Sequence, residues 1–389
     1  MMDPEAFRRA AHDMVDYILS YHESLPERRP LANVSPGYLR PLIPSEAPDE
    51  PEPWAEVLSD IERVIMPGVT HWHSPHFHAY LPTALSYPSI LADMLSDAIA
   101  CIGFTWLSSP ACTELEMVMM DWLAKLLELP EQFKFSTTGG KGGGIIQVLA
   151  TTGTTNTMAF DDLTSLGKVC EKYSLWMHVD GAYAGSACIC PEYRHILNGV
   201  EYAESFNFNP HKWMMVNFDC SAMWFKDASQ MTEAFNVDPV YLKHQHQGII
   251  PDFRHWQIPL GRRFRSLKMW FVFRLIGANA LREHIRKQCG LAKQFQAMVD
   301  ADDRFQIVTP ATLGLTTFRL KGENELNETL VQRLNANGKI HLVPAKLDGQ
   351  FILRFAICGE KTSADDVKYA WQEICELAEE VLKGSTTTN

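Results

Sequence analysis

The sequence predicts an α/β fold: a mostly parallel sheet in a large central domain, followed by a smaller α+β domain at the C-terminal end. Three observations predict it. First, 148–152 (VLATT) and 175–180 (LWMHVD) read as buried strands, and between them 161–173 sets Leu163, Leu166, Val169 and Tyr173 on one helical face. Strand, helix, strand at that spacing is a βαβ unit, whose strands run parallel because the helix carries the chain back to its starting edge. Second, strand patterns at 305–308, 313–320, 340–345 and 350–357 alternate with helical patterns at 324–336 and 363–383. Third, 389 residues are too many for one simple core, so a large and a small domain are expected.

The elements follow in order. At the N-terminus Asp3 can cap, Pro4 suits a first helical position, and Phe7, Ala11, Met14, Ile18 and Tyr21 recur at helical spacing. That apolar stripe must bury itself against something, and a second subunit is a candidate. Residues 41–54 (PLIPSEAPDEPEPW) hold five prolines among acidic residues and read as an extended connector. A strong helical pattern covers 111–129, a glycine-rich loop spans 137–147, and a long helical stretch runs from about 264 to Val299. Ser363 and Asp366 resemble a capping box before the last helix. The domain reading is therefore 1–53 as a helical segment and linker packing on a partner, 54–275 as the large domain, and 276–389 as the small one.

Composition excludes several classes. A net charge of −12 repels phosphate backbones, which argues against nucleic-acid binding. No apolar run is long enough for a membrane span, and the first 22 residues lack the apolar core of a signal peptide. Nine scattered cysteines without a CxxC pair suggest reduced thiols and a cytoplasmic protein.

The chemistry centres on two residues. HVDGAY places Asp180 at the carboxyl end of a strand, and FNPHKW places Lys212 one structural unit later. Ligands of open α/β sheets bind outside the carboxyl ends of the strands. A lysine and a carboxylate meeting there match pyridoxal phosphate: the amine forms an imine with it, and the carboxylate pairs with the protonated ring nitrogen. Either residue alone is more often an ordinary salt-bridge partner. The neighbours shift the balance, because Ala182 is small enough to admit a flat ring and Asn209 and His211 flank the lysine with polar groups.

Several long stretches carry a resemblance: PGYLRPLIP, IMPGVTHWHSPHFHAY, GFTWLSSPACTELE, HVDGAYAGSA, FNFNPHKWMMVNFDCSAMW and DFRHWQIPLGRRFRSLK. Through them the chain resembles the pyridoxal-phosphate-dependent aromatic-L-amino-acid decarboxylases (group II decarboxylases), particularly the dopa decarboxylases of animals. The resemblance implies the aspartate-aminotransferase-like fold (fold type I) and a homodimer with shared active sites. It implies decarboxylation of an aromatic, dopa-like amino acid, with Lys212 as the Schiff-base lysine and Asp180 as the ring-nitrogen partner. Thr155 and Ala182 would lie beside the ring, and Asn209 and His211 would contact the cofactor or its phosphate. Tyr241 would protonate the substrate carbon. Trp72, Tyr80, Pro82 and Thr83 match substrate-pocket positions, and Ile102 and Phe104 match pocket residues lent by the neighbouring subunit. Aromatic acetaldehyde synthases of insects share the scaffold and couple decarboxylation to oxidative deamination, so an aldehyde product is the alternative; an inactive dimer partner is the third.

Other signals carry less. His71, His73, His76 and His78 crowd one strip, but no acidic or cysteine ligand stands beside them, so no metal is expected. GGKGGG reads equally as a flexible loop or a phosphate contact. The cluster 262–265 (RRFR) reads as a solvated or salt-bridged face, and Arg354 as an edge-strand arginine. Three single positions differ from the family's usual residues: Leu81 for a pocket aromatic, Gly181 for alanine and Thr152 for leucine. The large departure follows GGGIIQ, where the family continues with a phosphate-binding turn, more strands and helices, and a ring-stacking histidine. Here Gln147 is followed directly by VLATTGTT. A chain so shortened is expected to leave sheet edges unpaired and core exposed.

Overall fold

The computed structural model describes residues 3–45, 52–80, 83–99, 101, 103, 105–137, 143–146, 154–236, 251–357 and 359–386. The helices in chain order are α1 (Pro4–Ser24), α2 (Trp54–Asp60), α3 (Tyr87–Ile99), α4 (Pro110–Leu127), α5 (Leu163–Tyr173), α6 (Pro210–Trp213), α7 (Ser229–Ala234), α8 (Arg265–Leu275), α9 (Gly277–Asp300), α10 (Asn324–Asn337) and α11 (Ala364–Thr386). The strands are β1 (Gly143–Ile146), β2 (His178–Asp180), β3 (Ser205–Phe208), β4 (Ala222–Phe225), β5 (Phe305–Thr312), β6 (Leu315–Leu320), β7 (Val343–Leu347) and β8 (Gln350–Ala356). Two compact units result: Met1–Tyr80 with Leu291–Ala311 and Leu315–Asn389, and Leu81–Gly290 with Thr312–Gly314.

In the first unit the sheet order is β5-β6-β8-β7, with β8 antiparallel to both neighbours. Every residue of β6 is buried, and its core is aromatic: Phe295 lies flat on Phe355 at 3.7 Å and edge-on to Phe318 at 5.2 Å. The predicted box before α11 forms, with Ser363 N–H donating to Asp366 Oδ2 at 2.9 Å and Asp366 N–H returning to Ser363 Oγ at 3.3 Å. Arg354 corrects its expectation: β8 is a central strand, and the arginine is buried, its Nη2 donating to the Tyr80 carbonyl at 3.3 Å. At the N-terminus Asp3 caps α1 by accepting from Ala6 N–H at 2.8 Å. The α1 stripe is not enclosed within this unit; Phe7 is 63% exposed, and Val15 and Leu19 stand out beside it.

In the second unit the order is β1-β4-β3-β2. β2 and β3 run parallel, and β4 is antiparallel to both β3 and β1. Phe206, Phe208 and Trp224 stack across β3 and β4 as the core of this sheet. The structure corrects four details. Residues 143–146 of the glycine-rich loop form β1, because β4 offers them a hydrogen-bonding edge. The strand expected over 175–180 is limited to His178–Asp180, and Leu175 and Trp176 are exposed rather than buried. The long helical stretch divides at Gly277, whose φ of +82° lies in the left-handed region that glycine enters freely. Helix α5 forms, capped by Asp162, yet Leu166, Val169 and Tyr173 are exposed; its buried position is Gly167, where a Cβ would lie 2.5 Å from Tyr202 Cβ. The strand expected at 148–152 lies outside the described residues.

Two arginines of the 262–265 cluster are salt-bridged in depth, while Arg263 stays exposed. Arg262 pairs with Glu116 of α4 at 2.6 Å with both side chains 1% exposed, and it also sits over the Phe253 ring. Arg265 pairs with Asp219 at 2.9 Å.

Candidate active site

The ends of β2 and β3 are laced together, and that lacing aims the functional groups. Gly181 N–H donates to the Asn207 carbonyl at 2.8 Å, and Asn209 N–H donates to the Ala182 carbonyl at 3.0 Å. Asp180 turns its carboxylate back on its own chain, Oδ1 accepting from Ala182 N–H at 2.9 Å. The glycine at 181 suits this closeness, since a Cβ there would meet the Phe206 ring at 3.0 Å and the Asn207 carbonyl at 3.3 Å. Asn209 then leads into α6, where Pro210 occupies a first-turn position and Lys212 N–H donates to the Asn209 carbonyl at 2.9 Å. Trp213 anchors the turn: its ring stacks on Tyr183 at 4.4 Å and its Nε1–H donates to Gln288 at 2.5 Å.

One cavity of about 670 Å³ is lined by Thr155, Asp180, Ala182, Tyr183 and Lys212 together. Burial pushes the Lys212 amine below its usual range, and the Asp180 charge opposes part of that shift. The amine is thereby brought closer to its neutral, nucleophilic form. Asn209 is buried next to it, Oδ1 accepting from Ser221 Oγ at 2.7 Å.

His211 has a defined proton arrangement. Its Nδ1 lies 2.6 Å from the Cys220 carbonyl and 3.2 Å from the Cys220 N–H; the shorter contact is to a group that can only accept, so Nδ1 carries the hydrogen. Burial lowers the imidazole pKa and favours the neutral ring. Nε2 is then an acceptor. A neutral acceptor is poorly matched to a phosphate dianion and well matched to a group that gives up a proton.

The substrate-pocket expectations divide between described and undescribed residues. In the first unit Trp72 stacks on Tyr80 at 5.0 Å and meets Phe77 at a tilt, also at 5.0 Å, and Tyr80 has a φ of +61°, a strained conformation for a bulky residue. Thr83 is half-buried, and its neighbour Ala84 donates its N–H to the His211 carbonyl at 2.6 Å. Pro82, Ile102, Phe104 and Tyr241 lie outside the described residues. The histidine strip is occupied with structural contacts: Tyr21 O–H meets His71 Nδ1 at 3.0 Å, and His78 stacks on Phe355 at 4.1 Å. Among the described residues no group of His, Cys, Asp or Glu side chains is arranged to hold a metal ion.

Sequence reasoning missed the supports. Tyr183, Gln288, Ser221 and the Cys220 carbonyl lie from 9 to 75 residues from their partners, and no local pattern marks them. The donor set nonetheless fits the ring of pyridoxal phosphate: an amine, a carboxylate and a small side chain line one cavity of the size that takes small molecules.

Comparison with known proteins agrees. The family described as the pyridoxal-dependent decarboxylase conserved domain matches residues 36–148 and 140–321. The aromatic-L-amino-acid decarboxylase of Drosophila melanogaster is 49% identical over 472 residues, covering 98% of this chain and 92% of the fly protein. Among solved structures, Oryza sativa TDC with PLP and tryptamine superposes with a TM-score of 0.94 at 31% identity, covering 97% of this chain and 99% of that one. Catharanthus roseus tryptophan decarboxylase in complex with L-tryptophan gives 0.91 at 34% identity, covering 98% and 99%. The fly alignment extends over 472 positions against the 389 residues here, and the two family matches overlap at 140–148. The relatives therefore carry positions with no counterpart in this chain, and the family match breaks within 140–148, the stretch that contains Gln147.

Proposed function

This chain belongs to the pyridoxal-dependent decarboxylase family, and from that premise we propose that it converts an aromatic L-amino acid of the dopa or tryptophan type to its amine. The observation that carries the reading is the single cavity shared by Lys212 and Asp180, with the amine shifted toward neutrality by burial. When bound, the cofactor supplies an electron sink for the bond to the departing carboxylate.

The residues divide the remaining work. Lys212 would hold the cofactor aldehyde through an amine that burial shifts toward its neutral form. Asp180, its carboxylate steadied by Ala182 N–H, would pair with the ring nitrogen. Ala182 and Thr155 would flank the ring. His211 Nε2 accepts the proton that an incoming substrate ammonium must shed, because Nδ1 is committed to Cys220. Asn209, rigidified by Ser221, is assigned to the polar end of the cofactor. Trp72, Tyr80, Pro82 and Thr83, with Ile102 and Phe104 from a second subunit, are assigned to the aromatic side chain of the substrate, and Tyr241 to delivery of its phenolic proton to the substrate carbon.

We place the chain in a cytoplasmic homodimer. Exposed Tyr87, Leu91, Met94, Leu95 and Ile99 on α3, with the α1 stripe, support the dimer. Free cysteines at every described cysteine position support a reducing compartment, and no described helix is long and apolar enough to cross a membrane. The test is product identity. Purified protein is incubated in air with pyridoxal phosphate and L-dopa or L-tryptophan, and products are read by mass spectrometry. Amine without peroxide is expected, and Lys212→Ala should yield neither. Aldehyde with peroxide would move the chain to the aldehyde synthases, and no product with either substrate would refute the reading.

A further inference from the structure

We infer that His178 is a positioning residue for Asp180, acting through the side-chain amide of Asn207. The inference rests on the reading that Asp180 pairs with the cofactor ring nitrogen. Side chains alternate along a strand, so His178 and Asp180 share one face of β2 while Val179 is buried on the other. Both line the cavity that holds Lys212. Across the parallel pair, Ser205 stands opposite His178 and Asn207 opposite Asp180. His178 reaches both: Nδ1 is 2.7 Å from Ser205 Oγ, and Nε2 is 3.0 Å from Asn207 Oδ1.

The donors fix a direction. An amide oxygen only accepts, so His178 Nε2–H donates to Asn207. In the neutral ring Nδ1 then accepts from Ser205 O–H, and Ser205 Oγ in turn accepts from the Trp176 indole N–H at 2.9 Å. One consistent chain runs from Trp176 through Ser205 and His178 to Asn207. Asn207 is buried and doubly engaged, for its backbone carbonyl also accepts from Gly181 N–H at 2.8 Å. Asn207 and Asp180 are register partners on one face of the pair, so with the amide oxygen held by His178 the donor nitrogen is what the amide has left to offer on the face it shares with Asp180. Without His178 the amide can rotate and bring its oxygen round to a carboxylate it would repel.

The test measures cofactor dissociation from the holoenzyme, using pyridoxal phosphate and an analogue with C–H in place of the ring nitrogen. Asp180→Asn sets the reference, weakening pyridoxal phosphate and sparing the analogue. His178→Leu should weaken pyridoxal phosphate about tenfold, the scale of one lost hydrogen bond, and leave the analogue unchanged. His178→Gln, whose amide N–H can still donate to Asn207, should restore most of the affinity. If His178→Leu does not fold, His178→Gln and Ser205→Ala give the same two-cofactor comparison, with Ser205→Ala showing a smaller loss confined to pyridoxal phosphate. Equal loss for both cofactors, or none, with Asp180→Asn still discriminating, overturns the inference alone. An Asp180→Asn variant indifferent to the ring nitrogen overturns the pairing and the inference with it.

Discussion

Acidification from pH 7.5 to pH 5 should destabilise this protein through imidazoles buried in its first unit. His78 is fully buried, with Nδ1 donating to the Ala356 carbonyl at 3.3 Å and the ring on Phe355, and burial pushes its pKa down to about 3. His341 is 6% exposed, with Nδ1 on Asn335 Oδ1 at 2.8 Å, and burial pushes it down to about 4. In the unfolded chain both return to about 6.5. A depressed folded pKa means that the unfolded state binds the proton first. The stabilisation is complete above pH 6.5 and is lost as the pH falls toward the folded values. By linkage each group contributes about 2 kcal/mol of loss by pH 5, about 4 kcal/mol for the pair. Domain stabilities are about 5–15 kcal/mol, so the effect is large. His22, His71 and His76 are lowered as well and act in the same sense. The carboxylates Glu62 and Asp302 are held below their usual range by Arg28 and Arg304, so their losses begin only at lower pH. Urea unfolding at pH 7.5, 6.5, 5.5 and 5.0 measures the slope, and His78→Gln, which cannot titrate, should lose its share. A flat profile from pH 7.5 to 5, or an unchanged slope in the variant, would refute the reasoning.

Two further outcomes follow from particular contacts. Glu116→Gln leaves Arg262 buried without its counter-charge and should cost about 3–5 kcal/mol in denaturant unfolding, while adding Arg262→Met should recover much of that; additive losses would contradict a coupled pair. Gly167→Ala drives a methyl group into Tyr202 and should cost about 1–3 kcal/mol, whereas Val169→Lys on the exposed side of the same helix should fall within about 0.5 kcal/mol, both read by thermal unfolding.

What the sequence revealed depended on how local the cause was. The box Ser363–Asp366, the cap Asp3 and the helices α10 and α11 follow from residues a few positions apart, and they were legible. Asp180 and Lys212 were legible because a strand end and a short loop place them by chain order. Arg354 was misread because strand order is a tertiary property: nothing in FILRFAI says that β8 lies between β6 and β7. The depth of Arg262 was hidden for the same reason, since Glu116 lies 146 residues away. His178 was read only as part of a strand, because its partners Ser205 and Asn207 are set by register with β3.

The exposed stripe of α5 shows where pattern and chain disagree. Periodicity encodes a helix with a covered apolar face, and the helix forms, but Leu166, Val169 and Tyr173 are left open, as are Leu175 and Trp176 leading into β2. The break in the family match lies at 140–148, and β2 ends the sheet among the described residues. The ring end of the site is insulated from that break. Thr155, Asp180, Ala182 and Lys212 all follow it in sequence, and the lacing of β2 to β3, the antiparallel pairing of β3 with β4, and the Tyr183–Trp213 stack are made among residues 178–225 alone. Asp180, Ala182 and Lys212 are therefore held by contacts made wholly after the break, while Leu163, Leu166 and Trp176 give the same cavity its apolar wall.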